Sequence, residues 1–293
     1  MIKIIILLLI IYLIYINIKS MNRVKPLINK VKPIKRNNVK PYLWQYWDNI
    51  DSNRTPAYIE LCLKSVDKHC SKSFNIIRLN KDNILKYLPE LKTLSVYNKI
   101  EKLIIAHKVD LYRIMLLKKY GGLYMDADIV VLRDPIEIID KLDEEDYVGF
   151  GCTGNVCING YGTPSNWIIA SRKDGMLVTN VLNSMINKID RKDKFEYHDL
   201  GKLVIWDELT KLIEDGYKYY QYSNKIDGSR DKYGFWIDSD IAFSDYEIEY
   251  DDEDNMLFFV VYNSDVSKNV KDLSEEEILK KDWNFTKFIK KSI

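Results

Sequence analysis

The stretch from residue 97 to residue 132 constrains the fold most, because it contains a complete helix, turn and strand signal. Apolar side chains between residues 97 and 120 recur at the spacing of one helix face, at Ile100, Leu103, Ile104, Leu111, Ile114, Met115 and Leu117. Gly121 stands where a glycine typically ends a helix. Residues 123–132 form an apolar run that only Asp126 and Asp128 interrupt. The segment therefore predicts a long helix that turns abruptly into a strand.

Strand and helix signals alternate along the rest of the chain. Further strands are predicted at 42–47, 74–79 and 167–171. Further helices are predicted at 55–69, with Thr55 as N-cap and Pro56 at the first helical position, and at 82–88 and 176–189. This alternation predicts an α/β fold with a mostly parallel sheet. A chain of 293 residues that is 46% hydrophobic can bury the core of one large domain or two small ones.

Charge and cysteine usage narrow the class of protein. The formal net charge is +1, which lacks the basic excess of a nucleic-acid-binding protein, so no nucleic-acid partner is expected. The four cysteines form no CxxC pair, which argues against a zinc ribbon or a thioredoxin-like site. Cys152 and Cys157 lie near enough in sequence to form a disulfide, and reduced thiols fit the chain equally well. The cysteines therefore leave the compartment open.

The N-terminus carries a membrane-anchor signal. Residues 4–18 are apolar except for Asn17, and residues 1–18 are long enough for a thin membrane crossing. No small-residue cleavage site follows this segment, so an uncleaved signal-anchor is favoured over a signal peptide. A buried core helix is disfavoured because basic sequence follows the segment at once. Residues 19–41, rich in lysine, arginine and proline, predict a basic stem before a folded domain at 42–293. The expected location is the membrane. The positive-inside rule favours a domain in the cytosol, and a lumenal orientation would contradict that rule. The sequence itself leaves the orientation open.

Asp126 and Asp128 are the clearest candidates for chemistry. Residues two apart on a strand face the same side, so the two carboxylates are expected to converge. Carboxylate oxygens suit Mg²⁺ or Mn²⁺, and such a metal can bridge a diphosphate. Acidic pairs of this spacing occur mostly on solvated turns. Here, however, apolar residues flank the pair. Burying two carboxylates without a partner is costly, so the sequence favours a functional role for the pair over a solvated turn.

Asp110 and Arg113 form a second candidate pair. They are three residues apart on the predicted helix and therefore neighbours on its surface. An exposed pair of this kind contributes only about 0.3–0.5 kcal/mol to helix stability. The functional alternative has Asp110 accept from a sugar hydroxyl and Arg113 donate to a phosphate or a sugar. Gly121 and Gly122 would bring this pair toward the acidic strand.

These motifs resemble a known family. Residues 106–113 read A-H-x-x-D-x-x-R and residues 119–128 read K-Y-G-G-L-Y-x-D-A-D, which is similar to the sugar-binding DxD region of glycosyltransferase family 32. The similarity is closer still to the capsular polysaccharide synthesis branch of that family. Residues 43–47, 62–66, 166–171, 197–199 and 261–264 add weaker similarity, so the resemblance extends over most of 42–293.

The resemblance implies a GT-A fold, which is a Rossmann-like nucleotide-binding sheet, and a retaining glycosyltransferase. The expected cofactor is Mn²⁺ or Mg²⁺. The expected partners are a UDP- or GDP-sugar donor and a glycan or glycoconjugate acceptor. The implied catalytic residues are Asp110, Arg113 and Asp128, and the implied donor-binding residues are Trp44 against the base, Tyr124, Asp126 and Asn166. Asp126 and Asp128 are the implied metal residues, and His198 is a further candidate near the leaving group.

One residue departs from the family pattern, and two other functions remain open. The family usually has serine before the helix aspartate where this chain has Val109, which puts donor choice in doubt if that serine contacts the donor. Residues 126–130 also fit the D-x-D-x-[TV] pattern of haloacid-dehalogenase phosphohydrolases, although that motif normally lies on the first strand of its domain. A non-catalytic carbohydrate-binding protein with a degenerate transferase fold is the other alternative.

Overall fold

The computed structural model describes residues 39–49, 54–151 and 164–293. The predicted anchor, most of the predicted stem, and Cys152 and Cys157 lie outside the described residues. Within the three described ranges, no helix is both long enough and apolar enough to cross a membrane. Cys62 and Cys70 are buried free thiols.

Eight strands and eleven α-helices make up the described part of the chain. The strands are β1 (Tyr42–Tyr46), β2 (Asn75–Leu79), β3 (Gly122–Met125), β4 (Ile129–Val131), β5 (Tyr147–Gly151), β6 (Pro164–Ser171), β7 (Tyr220–Ser223) and β8 (Phe258–Val260). The helices are α1 (Ala57–Cys70), α2 (Ile84–Tyr87), α3 (Tyr97–Ile100), α4 (Ile105–Tyr120), α5 (Ile136–Lys141), α6 (Met176–Arg191), α7 (Lys202–Glu214), α8 (Ser239–Ala242), α9 (Lys268–Lys271), α10 (Glu275–Leu279) and α11 (Asn284–Ser292). Short 3₁₀ helices occupy Pro89–Thr93 and Glu253–Asn255.

The central sheet has six strands in the order β2-β1-β3-β6-β5-β7. Strand β1 runs parallel to β2 and β3, and β5 runs parallel to β7, whereas β6 is antiparallel to both β3 and β5. The predicted α/β class is confirmed, but the sheet is mixed rather than mostly parallel. Strands β5 and β6 follow each other in the chain and pair directly. Strands that do so run antiparallel unless a crossover connection joins them, and β5 and β6 are antiparallel.

Alternating side chains give the sheet two buried faces. Trp44, Tyr46 and Tyr124 point into a core shared with α4, α6 and α7. Leu43 and Leu123 point to the opposite face, toward α1, α5 and β8. A third core lies between α1, α11 and the small two-stranded sheet of β4 and β8. The period-two pattern of β1 and β3 thus decides which of their aromatic rings are buried beneath α4.

Two predicted elements are each divided in the structure. The helix predicted at 97–120 is α3 and α4, separated where Ile104 has an extended backbone conformation. Leu103 and Ile104 continue the apolar spacing, so the pattern could not reveal this break. The strand predicted at 123–132 is β3 and β4, which belong to different sheets and are joined by a turn at residues 126–128.

The glycine pair ends α4 as predicted. Gly121 has a φ of +71°, and its N–H donates to the Leu117 carbonyl at 2.8 Å, which is a C-cap contact. Gly122 has a φ of +101°, and a side chain there would clash with the backbone of Tyr42. Helix α1 begins at Ala57 rather than at Pro56, and the Thr55 hydroxyl donates to Asn49 instead of capping the helix.

Candidate active-site cleft

A cleft of about 1920 Å³ opens at the edge of the sheet where β1 and β3 end. These neighbouring strands are parallel, so their carboxyl ends meet there, and the antiparallel β6 begins at the same edge. The strand ends contribute Trp47, Asp126, Asp128, Asn166 and Trp167 to the lining. The rest of the described wall includes the first turns of α4 and α7, the loop with Tyr197 and His198, and residues within 224–236 and 260–272.

Arg113 is the centre of a buried polar network beside the cleft. Its Nη2 lies 3.2 Å from Asp110 Oδ1 and 3.2 Å from Asp126 Oδ1, and its Nη1 donates to the Asn166 carbonyl. The Asn166 side-chain amide donates to Asp110 Oδ1 at 2.8 Å. Asp110 and Arg113 are each only 5% exposed, so the surface ion pair that sequence alone allowed is excluded. The structure therefore brings four of the predicted site residues into one cluster.

Asp128 joins this cluster from the turn between β3 and β4. Its Oδ2 accepts from the Asn263 backbone N–H at 2.6 Å, and its carbonyl accepts from the Val261 N–H at 3.1 Å. These contacts follow from the pairing of β4 with β8, because the residues after β8 reach back to the acidic turn. The predicted geometry was wrong in one respect, since the two carboxylates project from a turn and not from one strand face. A turn lets them reach the cleft while their apolar neighbours stay buried.

The carboxylates resist ionisation. Burial raises the pKa of Asp126 to about 7; Arg113 opposes the shift, and the charges of Asp128 and Asp110 add to it. Burial also raises the pKa of Asp110 and of Asp128 above the ordinary range, against Arg113 in both cases. Burial lowers the pKa of Arg113, but the charge of Asp126 outweighs this and the net shift is upward. One arginine therefore faces three carboxylates, and the cluster is short of positive charge.

This charge imbalance fits a divalent cation at Asp126 and Asp128. Oxygen ligands from carboxylates suit Mg²⁺ and Mn²⁺, and an added cation would favour the ionised forms that burial disfavours. Among the described residues, however, no group of three His, Cys, Asp or Glu side chains is arranged to hold a metal. The two aspartates would thus supply only part of a coordination shell, which suits a site completed by a phosphate-bearing ligand.

Two predicted donor-binding residues lie outside the cleft. Trp44 is fully buried, and its Nε1 donates to the Gly121 carbonyl at 3.0 Å, so its expected stacking on a base is wrong. Tyr124, its partner in the strand register, is also fully buried and lies beneath Arg113, with 4.8 Å from the guanidinium carbon to the ring centroid. Both rings face the α4 core. Trp47, which directly follows β1, lines the cleft together with Tyr46, the last residue of that strand.

His198 lines the cleft as expected, on the loop before α7. Burial and the nearby charge of Lys202 lower the pKa of His198, so the ring stays neutral to a lower pH than an exposed histidine does. It is not part of the Arg113 cluster. The structure thus supports its presence in the site and leaves its chemical role unassigned.

Several cleft residues were not predicted from the sequence. They include Lys202 and Trp206 on α7, and Arg230, Trp236 and Asn263 in the C-terminal third. No spacing rule connects these residues to the DxD region, because long connections separate them in the chain. Gly201 was also missed. It directly precedes α7, and only the lack of a side chain there leaves room for Asp110 and Asn166.

Gly201→Ala is expected to impair the site more than the fold. A Cβ atom at position 201 would lie 2.8 Å from Asp110 Oδ2 and would also clash with the Asn166 amide. We expect the free energy of unfolding to fall by about 1–3 kcal/mol. We also expect weaker ligand binding, because the added methyl group would displace the Asp110 side chain. Gly175→Ala is the matched control, since its Cβ would approach Ser171 Oγ to 2.6 Å outside the cleft. Urea denaturation and nucleotide titration of both variants check this, and equal binding by both would contradict it.

The metal-free protein is expected to lose stability as the pH rises from about 4 to about 7. Carboxyls whose pKa is raised in the folded state hold protons more tightly there, so their contribution to stability is lost as the pH rises through that pKa. The pKa of Asp126, about 7, and the pKa of Asp227, about 6, set the pH range over which stability is lost. The Asp126→Asn variant should lose less stability over this range than the parent protein. Thermal denaturation in EDTA at pH 5 and pH 8 measures this, and an unchanged loss in the variant would exclude Asp126 as a cause.

Comparison with known proteins gives the family. The sequence model of the capsular polysaccharide synthesis protein family matches residues 11–226, well over half of the chain. The chain therefore belongs to the capsular polysaccharide synthesis protein family. A search of curated proteins returned no match.

Solved structures with similar chain courses include three proteins titled as glycosyltransferases. The PaToxG glycosyltransferase is 18% identical, with 60% of this chain and 70% of that chain covered and a TM-score of 0.45. GlyE of Streptococcus pneumoniae is 14% identical. The match covers 83% of this chain and 62% of GlyE, with a TM-score of 0.46. Bifunctional WbbM is 11% identical, and the match covers 87% of this chain and 52% of WbbM, with a TM-score of 0.44. This chain spans less than two thirds of the length of GlyE and of WbbM.

Proposed function

We propose that this chain is a GT-A type glycosyltransferase that moves a sugar from a UDP- or GDP-sugar to a glycan or glycoconjugate acceptor. The observation that carries the proposal is the cluster of buried Asp110 and Arg113 with the partly exposed Asp126 and Asn166 at the carboxyl edge of an α/β sheet. Membership in a polysaccharide synthesis family gives that cluster a context.

The cleft offers each part of a nucleotide-sugar a distinct wall. In this proposal Asp110 and Arg113 hold the donor sugar. The hydrogen bond from Asn166 to the Asp110 carboxylate supports that role. Trp47 takes the base-stacking role expected of Trp44. Asp126 and Asp128 are the residues that would hold Mn²⁺ or Mg²⁺, and that metal, when bound, would neutralise charge on the departing nucleoside diphosphate.

Transfer is proposed to proceed with retention of configuration. The acceptor hydroxyl oxygen forms a bond to the anomeric carbon while the bond from that carbon to the diphosphate oxygen breaks. The hydroxyl proton passes to the departing diphosphate oxygen. Asp110 and Asp126 each contact Arg113, and the proposed transfer needs neither of them as a nucleophile. Arg113 favours the transition state by donating to developing negative charge.

Trp47→Ala is expected to weaken nucleotide binding. Stacking of a base on an aromatic ring contributes about 1–3 kcal/mol, so binding should fall by about 5- to 150-fold. Trp283→Ala is the control, because Trp283 is a half-buried tryptophan outside the cleft. Isothermal titration calorimetry with UDP and GDP measures both variants. Unchanged affinity in the Trp47 variant would remove this residue from the donor site.

Metal-dependent nucleotide binding tests the proposal itself. The full chain is titrated with UDP and with GDP, each in Mn²⁺ and in EDTA. We expect one nucleotide to bind with Mn²⁺ and to bind at least about tenfold more weakly in EDTA. The absence of binding by either nucleotide would favour a non-catalytic carbohydrate-binding protein. Release of phosphate from a phosphomonoester would favour the phosphohydrolase alternative, although the acidic turn follows the third strand of the chain and not the first.

A further inference from the structure

One wall of the cleft, formed by β6, the start of α7 and the C-terminal third, combines an aromatic surface with two cations. Trp236 stacks on Tyr262 at a centroid distance of 4.6 Å and an interplanar angle of 28°. Trp167 packs edge-on against both rings, at 5.7 Å and 5.3 Å. We call Trp167, Trp236 and Tyr262 the aromatic platform. All three residues line the cleft, and Trp236 is 37% exposed.

One ring of the platform, that of Trp167, is anchored from behind by a hydrogen bond. The Trp167 Nε1 donates to Asp227 Oδ2 at 3.0 Å, and Asp227, which is fully buried, also accepts from the Asn224 side-chain amide and the Ser229 backbone N–H. A surface whose rings are already fixed loses little conformational entropy when a ligand binds. The apolar face of a sugar ring packs on such aromatic surfaces, which are common in the lining of ligand sites.

Arg230 and Lys202 add uncompensated positive charge to the same wall. The Arg230 guanidinium carbon lies 5.2 Å from the centroid of the Trp236 ring, and Nη1 donates to the Gly234 carbonyl at 2.7 Å. Within the described ranges, neither Arg230 nor Lys202 has an acidic group within 4 Å. Both side chains line the cleft. Burial lowers the pKa of Lys202, and the positive charge of Arg230 lowers it further. Two neighbouring cations without a counter-ion attract an anion, and arginine binds carboxylate or phosphate with paired donors.

The wall is next to the acidic turn but separate from the base-stacking side. The Asp126 backbone N–H donates to the Trp167 carbonyl at 2.9 Å, so the platform begins beside the metal residues. Trp47, by contrast, lies at the end of β1 on the donor-base side. A sugar on the platform would therefore present its hydroxyls to the donor sugar at the Arg113 cluster. Trp236 and Arg230 also lie beyond residue 226, where the family match ends.

We infer that this wall is an acceptor subsite for a sugar that carries a carboxylate or a phosphate, stacked on Trp236 and bound through Arg230 and Lys202. The inference rests on the proposed function, since it names the acceptor of the same cleft. The main competing ligand for these cations is the diphosphate of the donor, and the test separates the two sources.

Saturation-transfer difference NMR tests the subsite with sugars that differ in charge. The full chain is mixed with glucuronic acid, glucose 6-phosphate or glucose. We expect the ring protons of the two charged sugars to receive at least about fivefold more saturation than those of glucose. Arg230→Gln and Lys202→Met should each reduce the charged sugars to the level of glucose. Lys281→Gln is the matched control, because Lys281 also lies over a tryptophan, Trp283, but outside the cleft.

Nucleotide binding separates the acceptor source from the donor source. The charged-sugar signal should persist in saturating UDP or GDP with Mg²⁺, which is diamagnetic, and Arg230→Gln should retain nucleotide affinity within about twofold. Equal signals from charged and neutral sugars, or displacement of the charged sugars by nucleotide, would overturn the acceptor subsite. Failure of the proposed function has a different signature, which is the absence of metal-dependent nucleotide binding in the unsubstituted protein.

Discussion

Asp128→Asn is expected to lower metal-dependent sugar transfer by at least about 100-fold while leaving the fold intact. An asparagine can still accept from the Asn263 backbone N–H, which Asp128 Oδ2 contacts at 2.6 Å. What it loses is the negative charge that would hold the metal. Removing one element of electrostatic stabilisation from an active site commonly costs about 100- to 1000-fold in rate.

The stability of this variant provides an internal check. Burial raises the pKa of Asp128, so its ionised form is disfavoured in the folded protein. In EDTA at pH 8, the variant should therefore unfold at the same temperature as the parent or at a higher one. Asp207→Asn, on the exposed surface of α7, is the control for an aspartate outside the site. Transfer within about threefold of the parent rate would exclude Asp128 as a metal residue.

Arg113→Met is expected to destabilise the folded protein by about 3–5 kcal/mol at pH 8, the usual cost of leaving a buried charge without its partner. Arg113 is 5% exposed and contacts Asp110, Asp126 and the Asn166 carbonyl. Methionine fills a similar volume but donates no hydrogen bond, so both carboxylates would remain buried without a cation.

The pH dependence of this variant distinguishes loss of charge from loss of packing. Asp126, with a pKa of about 7, is protonated at pH 5, so the destabilisation should be smaller there. The triple variant with Asp110→Asn and Asp126→Asn should recover much of the lost stability. Lys280→Gln removes an exposed ion pair with Glu276 and should change stability by less than about 0.5 kcal/mol. Urea denaturation measures all of these, and a loss as small as that of Lys280→Gln would contradict the account of the cluster.

Local signals in the sequence identified the core of the site but not all of its geometry. Asp110, Arg113, Asp126 and Asp128 were found because a helix, a glycine turn and an apolar strand lie next to each other in the chain. The division of 123–132 into β3 and β4 was missed because both halves are apolar, and only the pairing of β4 with β8 separates them. That pairing joins residues more than 120 positions apart, a relationship that a single sequence does not reveal.

The choice between Trp44 and Trp47 shows where a motif fails without register. Both tryptophans lie in the motif at 43–47, and the family resemblance implied Trp44 as the residue that stacks on the base. In the structure Trp44 pairs with Tyr124, and both rings point into the core beneath α4. Trp47 follows the last residue of the strand and is thereby free to face the cleft. The C-terminal wall was beyond prediction for another reason, since its aromatic and basic residues have no periodic spacing.

The most direct test of the central claim is nucleotide release from a panel of UDP- and GDP-sugars. The full chain is incubated with each donor in Mn²⁺ and in EDTA, and Asp128→Asn is measured alongside. The account predicts that one donor releases its nucleotide in Mn²⁺, and that EDTA and the substitution each abolish the release. No release from any donor, together with no metal-dependent nucleotide binding, would contradict the assignment of this chain as a glycosyltransferase.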